Sequence, residues 1–451
     1  MNTSEIELHP EAKQNYDQRA EALIGKLSAQ DIPRQMEQSA IQPDIVVHHT
    51  ITEKDIIGDV LVNFADGQTG ERTGRGFLTG GKKILLEGEG WRELSKLSSK
   101  VAQTPNIREK VSASFIEDVT FLWIKARYEK STSVGFSDHL VSEIIKAVVD
   151  QEIWIPIAKT QIDGVLEIGR VKIQPISKQV FDSWRESMRL PKPEEDAKVE
   201  QLFDKFRRKL QGYAAARIVV SAEPARARKI AEEETEKALA VLRWMSPEIQ
   251  LPRKPSFCAI LGREYVPSFT HFILREGRVS NIHQGEFTAA VPTGLGRDVL
   301  ALFQKPLAMV NDLLREPNPS EFQSDLIDAF ILYSQSSLKD RITDRLITIL
   351  VSLESLLLKD SSEAIQQNLG ERMALVCGSN LAERKAVRAD LGEVYRIRSR
   401  FIHHGDTVED VDAVQKFLRH AFVFFYQMIQ AHRAYKTRNE FIAALDDRKM
   451  S

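Results

Sequence analysis

Cysteine is scarce in this sequence, which argues against an oxidising compartment. The 451 residues contain two cysteines, Cys258 and Cys377, which lie far apart. Two thiols cannot form a metal-binding cluster by themselves, and a low count is typical of a protein in a reducing cytosol. We therefore expect a cytoplasmic protein.

Long apolar runs are also missing, and we expect no signal peptide. No run approaches the roughly 18–20 apolar residues that a membrane span needs. The longest candidate, RHAFVFFYQMIQAHRA, is flanked by charge, and we interpret it as a buried helix whose aromatic residues belong to the core. The first residues, MNTSEIELHPEAKQ, have neither the basic nor the apolar segment of a signal peptide. We expect no membrane contact.

Strong charge of one sign is absent as well. The net charge is -2, so any contact with nucleic acid must come from a local patch. Hydrophobic residues make up 42% and charged residues 28%, which is ordinary for a soluble globular protein. We detect no internal repeat and no low-complexity segment.

Length and pattern predict an α+β region followed by an all-α bundle. A chain of 451 residues is too long for one ordinary core, and two to four domains are expected. We predict an α+β region with a mixed sheet over residues 1–250, divided near 187–195 if it holds two subdomains. A β-containing connector packed on that region follows over 251–317, and a helical domain covers 318–451. The proline-rich stretch SPEIQLPRKP is the best internal linker.

Several local signals place individual elements. Residues 41–52 read as a strand, and residues 152–177 read as two strands around a turn at Asp163-Gly164. Asn318, Pro319 and Glu321 fit the N-cap, N1 and N3 positions of a helix. Apolar residues recur at helical spacing through ITDRLITILVSLESLLLKD, which predicts an amphipathic helix.

Motifs for cofactors and metals fail on inspection. The segment GFLTGGKK at 76–83 nearly matches a phosphate-binding loop, but Lys83 replaces the hydroxyl residue that holds magnesium. We interpret it as a glycine-rich hairpin. The pair His48-His49 points to opposite faces of an apparent strand and has no acidic or cysteine partner nearby. Asp390 lies in a helical run and lacks the second aspartate of a nucleotidyltransferase. The sequence predicts no cofactor and no metal.

The stretch RIRSRFIHHG at 396–405 is the most informative in the chain. On a helix, Arg398 and His403 are five positions apart and therefore about 140° apart around the axis. They converge if the arginine curls round, if the helix ends near His403, or if a second copy of the helix faces the first. Gly405 is well placed as a C-terminal cap, so a capped basic helix end is a complete structural explanation.

The same residues also support a chemical interpretation. A histidine can give or take a proton near neutral pH, and an arginine presents a forked donor to phosphate oxygens. Together they suffice for metal-free RNA cleavage, in which the ribose 2′-OH attacks its own phosphate and the arginine stabilises the developing charge.

The C-terminal region resembles the HEPN superfamily, and specifically its Apea-like domains. Their R-x(4–6)-H motif, with a polar residue after the arginine, a preceding tyrosine and a following glycine, matches Tyr395, Arg398, Ser399, His403 and Gly405. The segments SLESLLLKD at 352–360 and ERMALVCG at 371–378 are similar to two further family segments. The resemblance covers about the last 130 residues.

The resemblance implies a helical bundle that dimerises, with arginine and histidine from both copies in one composite site. It implies an endoribonuclease effector of antiphage defence (abortive infection) or of a toxin system, regulated through the N-terminal region by an unknown trigger. Both His403 and His404 satisfy the R-x(4–6)-H spacing, so the choice between them stays open, and we favour His403 because it fits the R-S-x-x-x-H form. The expected catalytic residues are Arg398 and His403, the supporting residues are Ser399, His404, Tyr395 and Glu354, and the RNA-facing residues are Arg396 and Arg400.

Two alternatives stay open at this point. A non-catalytic HEPN module could bind RNA or a protein scaffold through the same basic residues. In a toxin–antitoxin arrangement, a nucleotidyltransferase supplied by another chain would modify the domain.

Overall fold

A computed structural model of the chain divides into two compact units. The first contains Met1–Gln151 and Val219–Ile230, and the second contains Glu152–Ile218 and Ala231–Ser451. We call them the N-terminal unit and the C-terminal unit. The predicted domain boundaries and the regulatory role assigned to the first region stay predictions. The structure describes residues 6–31, 61–263, 268–275, 278–286, 293–296, 298, 301, 304–360, 362–405, 408 and 411–450.

The N-terminal unit is built on an antiparallel sheet of strand order β1-β4-β3-β2. Its strands are β1 (Ser28–Asp31), β2 (Leu61–Ala65), β3 (Arg72–Thr79) and β4 (Lys82–Glu87). Gly80 and Gly81 join β3 to β4 with φ angles of +54° and +74°, a conformation that favours glycine in a two-residue turn. The predicted glycine-rich hairpin is therefore confirmed. The strand predicted for 41–52, with His48-His49, lies outside the described residues.

Helices pack on one face of this sheet around an aromatic core. Phe77 of β3 meets Phe121 edge-on with ring centres 6.0 Å apart, and Trp123 meets Phe136 at 5.5 Å. The helices are α1 (Pro10–Ile24), α2 (Gly88–Ala102), α3 (Pro105–Arg108), α4 (Ala113–Tyr128) and α5 (Phe136–Ala147). The first ring contact joins β3 to α4 and the second joins α4 to α5, so the rings hold these elements together.

A second sheet has the strand order β5-β9-β8-β7. The prediction of two strands around Asp163-Gly164 is wrong, because the chain forms four short strands there. The segment before Gly164, β6, pairs in parallel with β12, while β7 and β8 form the hairpin, which turns at Gly169. The strands are β5 (Val149–Pro156), β6 (Thr160–Ile162), β7 (Leu166–Ile168), β8 (Val171–Pro175), β9 (Ala214–Ala222) and β12 (Thr293–Leu295).

Helices α6 (Lys178–Ser187) and α7 (Pro193–Leu210) form a hairpin in the C-terminal unit. Phe181 of α6 and Phe203 of α7 are buried in a small core with Ile176 and Ala215. Strands β10 (Ser268–Arg275) and β11 (Arg278–Glu286) pair antiparallel further along the chain.

The C-terminal part of the chain is largely helical, so the predicted order of an α+β region followed by helices is confirmed. The first helix of the predicted bundle starts at Glu321, where Ser320 and Gln323 form a capping box. The predicted N-cap at Asn318 is therefore wrong by two residues. The helices are α8 (Pro224–Met245), α9 (Gln304–Leu314), α10 (Glu321–Gln335), α11 (Ile342–Leu357), α12 (Ile365–Cys377), α13 (Leu381–His404), α14 (Val411–Gln430) and α15 (Arg438–Met450).

Amphipathic faces hold these helices together. The predicted apolar stripe of α11 is confirmed, since Leu346, Ile349 and Leu353 are buried. On α14, Phe424 and Phe425 are fully buried. The neighbouring rings of Phe422 and Tyr426 stack on Trp244 of α8, with centres 5.3 and 6.4 Å away. The α14 aromatic residues therefore belong to the core, as predicted.

Arg372 of α12 is a buried cation, and all of its guanidinium N–H groups donate hydrogen bonds. Its guanidinium donates to both carboxylate oxygens of Glu363 at 2.8 Å, to both of Asp446 at 3.0 Å and to the carbonyl of Leu357 at 2.6 Å. Asp446 also pairs with Lys359 and Lys449. This network joins α12 to α15 and to the end of α11.

A second buried arginine holds the proline-rich connector. Arg345 of α11 donates to the carbonyl oxygens of Glu248 and Leu251, each at 2.6 Å, at a 3-10 turn over Pro247–Gln250. Burial lowers its pKa to about 10. Further along, the N–H of Ser256 donates to the carbonyl of Ser337 at 2.7 Å. The connector is therefore fastened at both ends.

Candidate functional site

Helix α13 carries most of the predicted site residues, and its ends are well defined. Asn380 caps its start, where the side chain accepts from the N–H of Glu383. Gly405 ends it in the left-handed conformation with φ +72°, and its N–H donates to the carbonyl of Phe401. The predicted cap at Gly405 is confirmed. The last turn of α13 is therefore held in a fixed shape, with His403 and His404 in it.

Arg398 is half-buried beside the ring of Tyr395. The guanidinium carbon lies 5.9 Å from the ring centre, which is a cation–π contact. Within the described part of the chain, the Nε atom of Arg398 is buried and has no hydrogen-bond partner. The contact with the ring attracts the positive charge but does not occupy the N–H donors. The buried Nε cannot reach a ligand, so phosphate oxygens would accept from the two terminal nitrogens of the guanidinium.

Tyr395 is itself fixed by a residue from another helix. Its hydroxyl donates to Oε1 of Glu354 on α11 at 2.7 Å, and the tyrosine is only 9% exposed. Burial, followed by the hydrogen bond to Glu354, raises the pKa of Tyr395. The phenol therefore stays protonated at neutral pH and remains a donor. Two predicted supporting residues are thus brought into direct contact, in a chain from Glu354 through Tyr395 to Arg398.

His403 and His404 are both exposed at the end of α13. Their ring centres are 6.4 Å apart, with the ring planes inclined at 61°. Among the described residues, no hydrogen bond or ring contact joins either histidine to Arg398. Arg398 lies on the side of the helix that faces the bundle, as do Val394 and Tyr395, whereas His403 lies on the outer side. One copy of the chain does not bring the predicted catalytic pair together.

The two arginines predicted to face RNA differ in their surroundings. Arg396 is exposed but donates from Nε to Oε2 of Glu393 at 2.8 Å and also contacts Oε1. Arg400 is exposed, and no ion pair to another described residue compensates its charge. Ser399 is exposed next to it. Arg400 is therefore the more available cation of the two.

One contact near the site was not predicted from the sequence. Nε2 of His420 on α14 lies 2.9 Å from Oδ2 of Asp390 on α13, and both side chains are mostly buried. Asp390 lies within α13, which agrees with its rejection as a nucleotidyltransferase residue. The pair bridges the two helices. His420 interrupts the apolar face of α14 between Phe417 and Phe424, and this interruption is the sequence signal that could have identified a polar contact.

Comparisons with protein-family models, with curated proteins and with solved structures found no match. The described part of the chain contains no group of three or more His, Cys, Asp or Glu side chains arranged to hold a metal ion. Among the described helices, none combines the length and the apolar character that crossing a bilayer requires.

Proposed function

We propose that the chain is a metal-independent endoribonuclease of the HEPN type, in which Arg398 and His403 act together in a composite site. The observation that supports this most is the arrangement around Arg398. An aromatic ring, fixed by Glu354, holds the guanidinium, and its terminal nitrogens donate to no described residue. Exposed histidines lie about one and a half turns further along the same helix.

The proposed reaction is an internal transfer at phosphorus. The ribose 2′-oxygen forms a bond to the adjacent phosphorus while the bond from phosphorus to the 5′-oxygen breaks. This leaves a cyclic phosphate on one product and a 5′-hydroxyl on the other. His403 accepts or donates the proton, and Arg398 stabilises the negative charge on the phosphoryl oxygens.

A second copy of the chain would bring the two groups to one phosphate. Arg398 faces the bundle and His403 faces outward, about 140° away around the helix axis. Two helices related by a two-fold axis can place the arginine of one beside the histidine of the other. Ile402 lies between these residues and is 53% exposed, so an apolar contact is available there.

Cleavage of RNA in the presence of EDTA tests this proposal. We expect His403→Ala and Arg398→Ala each to reduce the cleavage rate by about 100-fold or more, because each removes a group that acts in the transition state. His404→Ala, which removes the neighbouring imidazole, is the comparison variant and should lose much less activity than His403→Ala, because His404 has only a supporting role. Cleavage by the His403→Ala protein at the wild-type rate would refute the assignment.

Mixing two inactive variants tests the composite site separately. A dimer of one Arg398→Ala chain and one His403→Ala chain retains one intact arginine–histidine combination, so the mixture should regain part of the activity. No recovery in a mixture shown to exchange subunits would contradict a site shared between copies. RNA binding without any products would instead support the non-catalytic binding module.

We further propose that the N-terminal unit keeps this activity in check until a trigger arrives, as in antiphage defence or toxin systems. Expression of the wild-type chain and of the His403→Ala variant in a bacterial host, with and without phage, tests this role. Growth arrest confined to infected cells that carry the active chain is the expected result.

A further inference from the structure

Helix α7 has an acidic and ion-paired flank on the side of α6. Arg185 of α6 donates to Asp196 at 2.6 Å and to Glu200 at 2.7 Å. Arg207 of α7 donates to Asp204 at 2.8 Å and also reaches Asp182 of α6. The charges on this flank therefore compensate one another and hold the two helices together.

The opposite flank of α7 carries lysines that form no ion pair with any described residue. At about 100° per residue, five residues fall within an arc of about 100° around the helix. We call them the α7 lysine face, and they are Lys198, Leu202, Lys205, Phe206 and Lys209. All five are exposed, and none of the three lysines pairs with another residue in the described part of the chain. Two acidic residues on the same side, Glu194 and Glu195, lie at the helix start, and Glu195 pairs with Lys192.

The apolar members of this face are also unusual in their exposure. Leu202 is 45% exposed and Phe206 is 43% exposed, although the next apolar residue, Phe203, is buried in the hairpin core. An accessible aromatic ring is therefore flanked by lysines at one position before it and three positions after it. A chain with a net charge of -2 has no general excess of cations to explain this segregation.

We propose that the α7 lysine face binds single-stranded RNA, at a place distinct from Arg398 and His403. Lysines that neutralise phosphates supply sequence-independent affinity, and an exposed aromatic ring can stack on an unpaired base. A helix that lies on a lipid surface needs a wide apolar stripe, whereas Val199, Phe203 and Leu210 of α7 pack in or against the hairpin core. The choice of RNA as the ligand rests on the proposed function.

Fluorescence anisotropy with a labelled single-stranded RNA of about 20 nucleotides tests the proposal. The His403→Ala background keeps the RNA intact, and binding is measured in EDTA at several salt concentrations. Replacing Lys198, Lys205 and Lys209 by glutamine should weaken binding by at least about tenfold at low salt. It should also lower the slope of log affinity against log salt by about 2, at roughly 0.7 per lost phosphate contact.

A separate substitution tests whether the Phe206 ring contributes to RNA binding. Phe206→Ala should weaken binding by about tenfold with the salt slope unchanged, because stacking does not depend on ion release. Phe206→Trp should preserve the affinity. The control replaces Lys82, Lys96 and Lys100, three exposed lysines of the N-terminal unit, by glutamine and matches the loss of charge. Circular dichroism establishes that each variant is folded.

The possible outcomes separate this inference from the proposed function. Equal losses in the α7 variant and in the control would overturn the inference, as would wild-type binding by the α7 variant. Binding of anionic phospholipid vesicles by this face, without RNA binding, would overturn it too. If the wild-type chain binds RNA through α7 but never cuts it, the inference stands and the proposed function fails.

Discussion

Replacing Arg372 by methionine should destabilise the C-terminal unit strongly. The side chain is 1% exposed and donates to Glu363, to Asp446 and to the Leu357 carbonyl. Methionine keeps the apolar stem but removes every donor. Two carboxylates and one carbonyl therefore lose their shared partner.

The expected loss in the free energy of unfolding is about 3 kcal/mol at neutral pH. Removing one partner of a buried ion pair costs about 3–5 kcal/mol, because the remaining charge is left uncompensated. The lower end of this range applies here, because the side chains of Glu363 and Asp446 are 14% and 25% exposed and solvent screens part of their charge. Asp446 also retains Lys359 and Lys449 as partners. The loss corresponds to roughly two orders of magnitude in the unfolding equilibrium constant.

The loss should depend on pH in a defined direction. Hydrogen bonds from Arg372 are the main reason why the pKa values of Asp446 and Glu363 lie below their ordinary values. Carboxyl groups with a lowered folded-state pKa stabilise the fold above the unfolded-state pKa of about 4. That contribution is lost as the pH falls through the folded-state value. The difference between wild type and variant should therefore shrink on acidification below about pH 4.

The loss in the free energy of unfolding and its dependence on pH are measured by urea unfolding and by hydrogen exchange of the α12 amides, at pH 7 and pH 3.5. Arg388→Met is the matched control, because Arg388 is more than half exposed and lies 3.7 Å from Glu371. Such a surface pair contributes at most about 1 kcal/mol. The reasoning is refuted if Arg372→Met unfolds like wild type at pH 7, or if its deficit grows as the pH is lowered.

Three further predictions concern the site helix and its support. Tyr395→Phe should slow RNA cleavage by about tenfold in a single-turnover assay and cost about 1 kcal/mol of stability, because Glu354 loses its donor while Arg398 keeps an aromatic ring. Trp244→Ala should lower the free energy of unfolding by about 3–5 kcal/mol in urea, because it removes the buried ring on which Phe422 and Tyr426 stack. Trp184 of α6 is only partly buried, so a smaller loss for Trp244→Ala than for Trp184→Ala would contradict the packing. Gly405→Ala should cost about 1 kcal/mol through its positive φ and speed hydrogen exchange in the last turn of α13.

Local signals in the sequence were sufficient for some parts of the fold. The Gly80-Gly81 hairpin and the cap at Gly405 depend on backbone conformations that glycine adopts most easily, so neighbouring residues determine them. The apolar stripe of α11 follows from helical periodicity alone. These features were predicted correctly because no distant part of the chain decides them.

Features that depend on distant segments were missed. The strand before Gly164 pairs with residues 293–295, and this partner cannot be identified from the turn sequence. The misplaced helix start was a local error of a different kind, because Ser320 and Gln323 form a capping box that the sequence pattern already contains, and Asn318 with Glu321 fits the same positions. At the site, Tyr395 and Glu354 are 41 positions apart, so their hydrogen bond is visible only in the folded chain.

The anchored connector affects where a protease can cut the chain. Arg253 and Lys254 are exposed in SPEIQLPRKP, a segment that resembles an easily cleaved linker. Proteases need several residues to leave the surface and adapt to their cleft. Arg345 and Ser337 hold the backbone on both sides, so trypsin should spare the Arg253–Lys254 bond until α11 unfolds. A nick there would then report the melting of the helical bundle and would not mark a natural border between domains.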